Sequence, residues 1–151
     1  MPRHIIRTAL AILVVAVTFI ALSPGLASAR TIYEEYATVV STSPPSNASC
    51  SFVPSGNVPG AGQACFVANG DQFWIRDYYA DGLHVEMRAS VNTTGDGFRC
   101  YTFRGSSYPW QTCTSWAYEI PENGTLAYSA SLWDSNNTLR YNGSLVLARA
   151  G

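Results

Sequence analysis

The chain has 151 residues, 13% of them charged, and a formal net charge of −1; all nine of its basic residues are arginine. Over residues 30–151, seven arginines face ten acids, a net of −3, so there is no basic stripe to displace counterions from a phosphate backbone, and nucleic acid is excluded as a partner. The length is that of one domain able to bury a real core.

Residues 1–29 have the layout of a secretory signal peptide. Arg3, His4 and Arg7 form a positive start, Ala9 to Leu22 is apolar apart from Thr18, and Ala27-Ser28-Ala29 offers small residues for cleavage. The apolar run is about 14 residues, short of the roughly 20 that span a bilayer. A secreted domain of residues 30–151 is therefore expected, with no membrane contact after cleavage.

Thr31 to Val40 is rich in β-formers, interrupted by Glu34-Glu35, and reads as a first strand or a short helix. Ser41 to Gly62 is dominated by Ser, Pro, Gly and Asn and reads as a long loop. From Cys65 onward, apolar stretches alternate with turn signals: Asn69-Gly70-Asp71, Ala80-Asp81-Gly82, Asn92 to Gly97, Arg104 to Pro109, Pro121 to Gly124 and Asp134 to Thr138. The clearest alternation places Leu83, Val85, Met87, Ala89 and Val91 on one face of a strand and His84, Glu86, Arg88 and Ser90 on a polar face. The Ala80 to Gly82 turn suggests a hairpin with Arg76 opposite Glu86. Leu126, Tyr128, Ala130 and Leu132 alternate in the same way, and Leu139 to Ala148 closes the chain around Asn142-Gly143. Seven or eight short strands with no helical period predict an all-β antiparallel sandwich, with a closed barrel as the alternative.

The four cysteines, Cys50, Cys65, Cys100 and Cys113, all follow the signal segment and would meet an oxidising compartment. Four cysteines allow three pairings. Cys50–Cys65 and Cys100–Cys113 close the shortest loops. A hairpin turning through Arg104 to Pro109 would set Cys100 directly opposite Cys113. Spacings of C-x14-C and C-x12-C lack the close pairs of a zinc ribbon, and no twelve-residue calcium loop is present, so no cofactor or metal is expected.

Catalytic constellations are sparse. His84 is the one histidine after the signal segment, and no G-x-S-x-G elbow occurs. A glycosidase needs two facing carboxylates; Asp71, Asp77, Asp81, Glu86, Asp96, Glu119, Glu122 and Asp134 are the candidates, but most lie in turn signals, where acids serve the backbone. Four Trp, nine Tyr and five Phe over residues 30–151 point instead to binding, because Tyr and Trp suit half-wet surfaces. Arg104, Tyr108 and Trp110, in and beside a turn held by a disulfide, are the expected recognition edge. The partners so implied are an extracellular polysaccharide, as for a carbohydrate-binding module, or a secreted hydrolase held by an inhibitory loop. A carboxylate-based hydrolase is the remaining alternative.

The Ala27-Ser28-Ala29 boundary, Phe73-Trp74-Ile75-Arg76-Asp77 before Ala80-Asp81-Gly82, and Ile120-Pro121-Glu122-Asn123-Gly124-Thr125 before the Leu126 to Leu132 strand resemble small secreted β-sandwich proteins of actinobacteria. The resemblance implies a fold and an extracellular location and assigns no activity. Small secreted amylase and protease inhibitors of the same bacteria also carry two disulfides, but the Trp-Arg-Tyr triplet of the amylase inhibitors does not occur in this chain.

Overall fold

Alternation decides the inner faces. Val85, Met87, Ala89 and Val91 of β6 (His84–Val91) and Leu126, Tyr128, Ala130 and Leu132 of β9 (Thr125–Trp133) are all buried, as their period of two requires. The computed structural model describes residues 30–117 and 119–151; the expected signal peptide, 1–29, lies outside the described residues. β6 and β9 pair antiparallel at the centre of one sheet. β7 (Gly97–Tyr101) flanks β6, and β1 (Ile32–Tyr36) adds to β7 in parallel, while β10 (Leu139–Asn142) and β11 (Val146–Arg149) share the far side of β9. The second sheet runs β2 (Thr38–Val39), β8 (Gln111–Cys113), β5 (Gln72–Asp77), β4 (Val58–Val67), β3 (Ser49–Ser55).

The sheets face each other across Val53, Phe66, Phe73, Ile75, Phe98 and Trp116 and do not close into a barrel. The Phe73 ring of the second sheet lies 6.2 Å from the Phe98 ring of the first, and Trp116 packs on both at 5.2 and 5.5 Å, so aromatic packing knits the two layers. Eleven strands stand among the described residues, against seven or eight expected. The opening segment accounts for part of the excess. It switches sheets at the buried Ala37, whose N–H donates to Tyr101 O, and so serves both layers as β1 and β2.

Three expectations change. Ser41 to Gly62 is not one long loop, because Ser49–Ser55 and Val58–Val67 form a hairpin, with Ser55 opposite Val58 and Gly56-Asn57 between them. Gly56 has φ +54°, the positive angle that the first central position of a tight hairpin turn demands. Secondly, β5 and β6 belong to different sheets, so Arg76 pairs with Gln63 and Glu86 with Tyr101 and Ser131. Tyr78 to Leu83 is a crossing between layers.

The third change concerns the sulfur bridges. Both expected disulfides form. Cys50–Cys65 joins directly opposed residues of the β3–β4 hairpin. Cys100–Cys113 is no hairpin bridge: it ties β7 of one sheet to β8 of the other, with Cα atoms 5.9 Å apart, inside the core. Residues 102–110 therefore arch from one sheet to the other. Two disulfides fit an oxidising environment.

Candidate functional site

The outward side chains of the first sheet fall into rows, because paired strands place opposed residues side by side. Across β1, β7, β6 and β9, one row reads Tyr36, Tyr101, Glu86, Ser131 and the next reads Glu34, Arg99, Arg88, Ser129. A third reads Ile32, Gly97, Ser90, Ala127 and extends to Leu147 on β11. Its middle members are small, while Ile32 and Leu147 at its ends are 66% and 68% exposed. The result is an open trough of about 440 Å³ over Gly97, Ser90 and Ala127, walled by Arg88 and Arg99 and reached by Arg30.

Beneath the second row lies a charge that the polar-strand reading did not anticipate. The Glu86 side chain is wholly buried. Its Oε2 accepts from Arg99 Nε at 3.0 Å and from Arg88 Nε at 3.1 Å, its Oε1 accepts from Arg99 Nη2, and His84 Nε2 lies 3.5 Å from Oε1. Burial raises the Glu86 carboxyl. The His84 imidazole and the Arg99 and Arg88 guanidiniums outweigh it and hold the group at about 2. Arg99 also reaches Glu34 and Asn137, and Arg88 lies 3.9 Å over the Trp133 ring. His84, expected on the wet surface of its strand, is instead only 5% exposed, with the Phe103 ring 4.6 Å away. A signal for this cluster was present: Glu86 and Arg88 share a strand face, and the Asn92 to Gly97 turn brings Arg99 alongside.

The β7–β8 arch rises at the end of this face. Thr102 donates its hydroxyl to Gln111 Oε1 at 2.5 Å and accepts from the Arg104 N–H at 3.0 Å, which fixes the arch's first turn. Phe103 and Tyr108 are 62% and 44% exposed, and Tyr36, 41% exposed, comes up from β1. Tyr108 and Tyr36 flank Arg104, whose guanidinium carbon is 5.3 Å from the Tyr108 ring centre and 5.9 Å from that of Tyr36, and the Phe103 ring lies beside Tyr36. Burial raises the Tyr36 phenol, but hydrogen bonding to Arg104 and Thr102 prevails and leaves it below its ordinary value. Tyr36, Tyr101 and Phe103 contact one another at 5.7–6.1 Å.

Of the expected recognition residues, Arg104 and Tyr108 thus stand together on the arch. Trp110 does not join them. It turns to the outer side of the second sheet, is 6% exposed, and packs edge-on against Trp74 beside the Cys50–Cys65 bridge. Its role is to cover that disulfide. Sequence reasoning missed Tyr36, Phe103, Arg88 and Arg99, which reach this face from β1, β6, β7 and the start of the arch.

Beside Phe103, a cleft of about 390 Å³ opens at the sandwich end, lined by Asp77, His84, Ser106, Ser107 and Ser135 among others. Asp77 is 2% exposed, and burial pushes its carboxyl up to about 6 against the pull of the Tyr79 N–H. Asp71, in the β4–β5 turn, is also raised to about 6 by burial and then by Glu122. Both aspartates bind protons more tightly folded than unfolded, so stability grows as pH falls from about 6 towards their ordinary 3.8. Glu86 acts oppositely, because the stability it contributes is lost as pH falls from 4.5 towards about 2. The melting temperature is expected to pass through a maximum at about pH 4, where the proton uptake of the two aspartates and the proton loss of Glu86 on folding come into balance. Calorimetry across pH 2–8 checks this, and a melting temperature still rising from pH 5 to 7 contradicts it.

Comparison of the chain with family models, curated proteins and solved structures returns no match.

Proposed function

We propose that this is a secreted, non-catalytic binding protein whose arch and adjoining sheet face hold an extracellular glycan chain. The observation that carries the reading is the set of exposed rings, Tyr36 and Tyr108 about Arg104 with Phe103 beside Tyr36, at an arch anchored by the Cys100–Cys113 bridge. Sugar rings offer an apolar face edged by hydroxyls, which suits exposed aromatic rings set beside a hydrogen-bond donor. The anchoring matters because a loop already fixed loses little entropy on binding. The inhibitor reading gains less support. Arg104 lies against two tyrosine rings rather than projecting as a free side chain that could enter a protease pocket.

The test is retention of the secreted protein on insoluble cellulose, chitin, starch and acidic glycans. Phe103→Ala and Tyr36→Ala are each expected to weaken retention about tenfold, ~1.4 kcal/mol. A Tyr108→Phe exchange, which keeps the ring, is expected to retain binding. Failure of the parent protein to bind any glycan removes the reading.

A further inference from the structure

We infer that the glycan is acidic, and that its carboxylate groups are received by the arginine row next to the aromatic arch. The inference rests on the glycan-binding reading above and adds the charge of the ligand.

Arg88 and Arg99 are directly opposed on neighbouring antiparallel strands, a pairing that like charges disfavour. The chain tolerates it by burying Glu86 under both guanidiniums, and a buried carboxylate carries its own desolvation cost. Apolar side chains at these three positions would hold β6 to β7 with less conflict. What the arrangement gains is a pair of guanidiniums fixed on the open face of the sheet. A local rule broken in this way, with its compensation built in beneath, marks a functional surface rather than a packing solution.

The two arginines divide the work. Arg99 spends its nitrogens on Glu86, Glu34 and Asn137 and contributes charge. Arg88 gives Nε to Glu86 and rests on Trp133, while its side chain stays 47% exposed. Among the described residues this leaves the Nη1–Nη2 edge, the fork that grips a carboxylate through two parallel hydrogen bonds.

The charges on this face support the same ligand. Four of the seven arginines in residues 30–151, namely Arg30, Arg88, Arg99 and Arg104, stand on this face or its rim. They meet Glu34 and Glu86 there, with Asp96 beyond the Arg30 end. The face is therefore locally cationic on a domain whose net charge is −3. From Ile32 on β1 to Ala127 on β9 the trough crosses four strands, roughly 14 Å at ~4.8 Å per strand interval. That is room for a short run of sugars, with the guanidiniums along the wall and the rings of the arch beyond the arginine row. A neutral chain would leave the Arg88 fork unused.

The experiment compares binding of the whole secreted protein to polygalacturonate, alginate and hyaluronate with binding to soluble starch and hydroxyethyl cellulose. Affinity for at least one acidic polymer is expected to exceed that for the neutral ones by tenfold or more. It should fall at least tenfold as salt rises from about 0.05 M to 0.5 M, where screening is strong. Arg88→Gln is expected to lose most of that preference. Arg104→Gln, which leaves the Glu86 network intact, is expected to lose severalfold. Equal affinity for neutral and acidic polymers, or salt-insensitive binding unchanged in both arginine variants, overturns the inference. If neutral glycans bind and Phe103→Ala abolishes that binding, the glycan-binding reading survives while this inference falls. If no polymer of either kind binds, both fall.

Discussion

Glu86→Ala is expected to destabilise the fold by about 3–5 kcal/mol, the range for removing one partner of a buried ion pair. The deleted carboxylate currently accepts three guanidinium hydrogen bonds, from Arg88 Nε and from Arg99 Nε and Nη2. Without it, two directly opposed cations remain on adjacent strands, and Arg99, whose side chain is only 17% exposed, keeps Glu34 and Asn137 alone. Chemical denaturation should show a lower midpoint with an unchanged slope, since the surface exposed on unfolding is the same. A second variant separates charge from packing. Replacing Glu86, Arg88 and Arg99 together by apolar residues of similar volume should recover most of the loss, because no uncompensated charge is left. That triple variant should still lose acidic-glycan binding. A Glu86→Ala cost below about 1 kcal/mol would mean that the network is a solvated surface pair.

How much of this face could be read in advance follows from what alternation does and does not encode. A period of two tells which side chains share a face, and it correctly placed the inward sets of β6 and β9. It does not tell whether the opposite face is wet. Glu86 and His84 were therefore expected among surface residues, whereas neighbouring strands and the arch bury them. Nor does a turn signal specify which sheet the next strand joins. Ala80-Asp81-Gly82 suits a hairpin as well as a crossing, and the chain crosses. Cysteine spacing gave the right partners for Cys100 and Cys113 for a reason the structure replaces: the pair bridges the layers rather than the two arms of a ribbon. The arch residues Arg104 and Tyr108 were accessible because they are local to one turn. Tyr36, Glu34 and Ile32 were not, because they arrive through a parallel pairing between strands 65 residues apart in the chain, which no short-range pattern announces.

Removing the Cys100–Cys113 bridge is expected to have both a stability effect and a binding effect, and their combination tests how the arch is anchored. The bond closes a loop of 13 residues' separation, for which chain-entropy estimates give about 3 kcal/mol. For a domain of this size that corresponds to a melting temperature lower by about 10 °C. Alanine at both positions avoids burying new hydroxyls in a core where Cys100 and Cys113 are almost fully enclosed. Sheet pairing should persist, because β7 remains hydrogen-bonded to β6 and β1, and β8 to β5 and β2. The arch that springs from these two strands would lose its covalent clamp, leaving Thr102–Gln111 as its main polar tie. Glycan affinity should then fall severalfold beyond any loss explained by unfolding, because Phe103, Arg104 and Tyr108 must be ordered at the moment of binding. The matching double alanine variant at Cys50 and Cys65 supplies the contrast. That bridge lies on the outer side of the other sheet under Trp74 and Trp110, so its loss should lower stability and leave affinity intact. Equal binding losses in the two variants would place the recognition surface elsewhere.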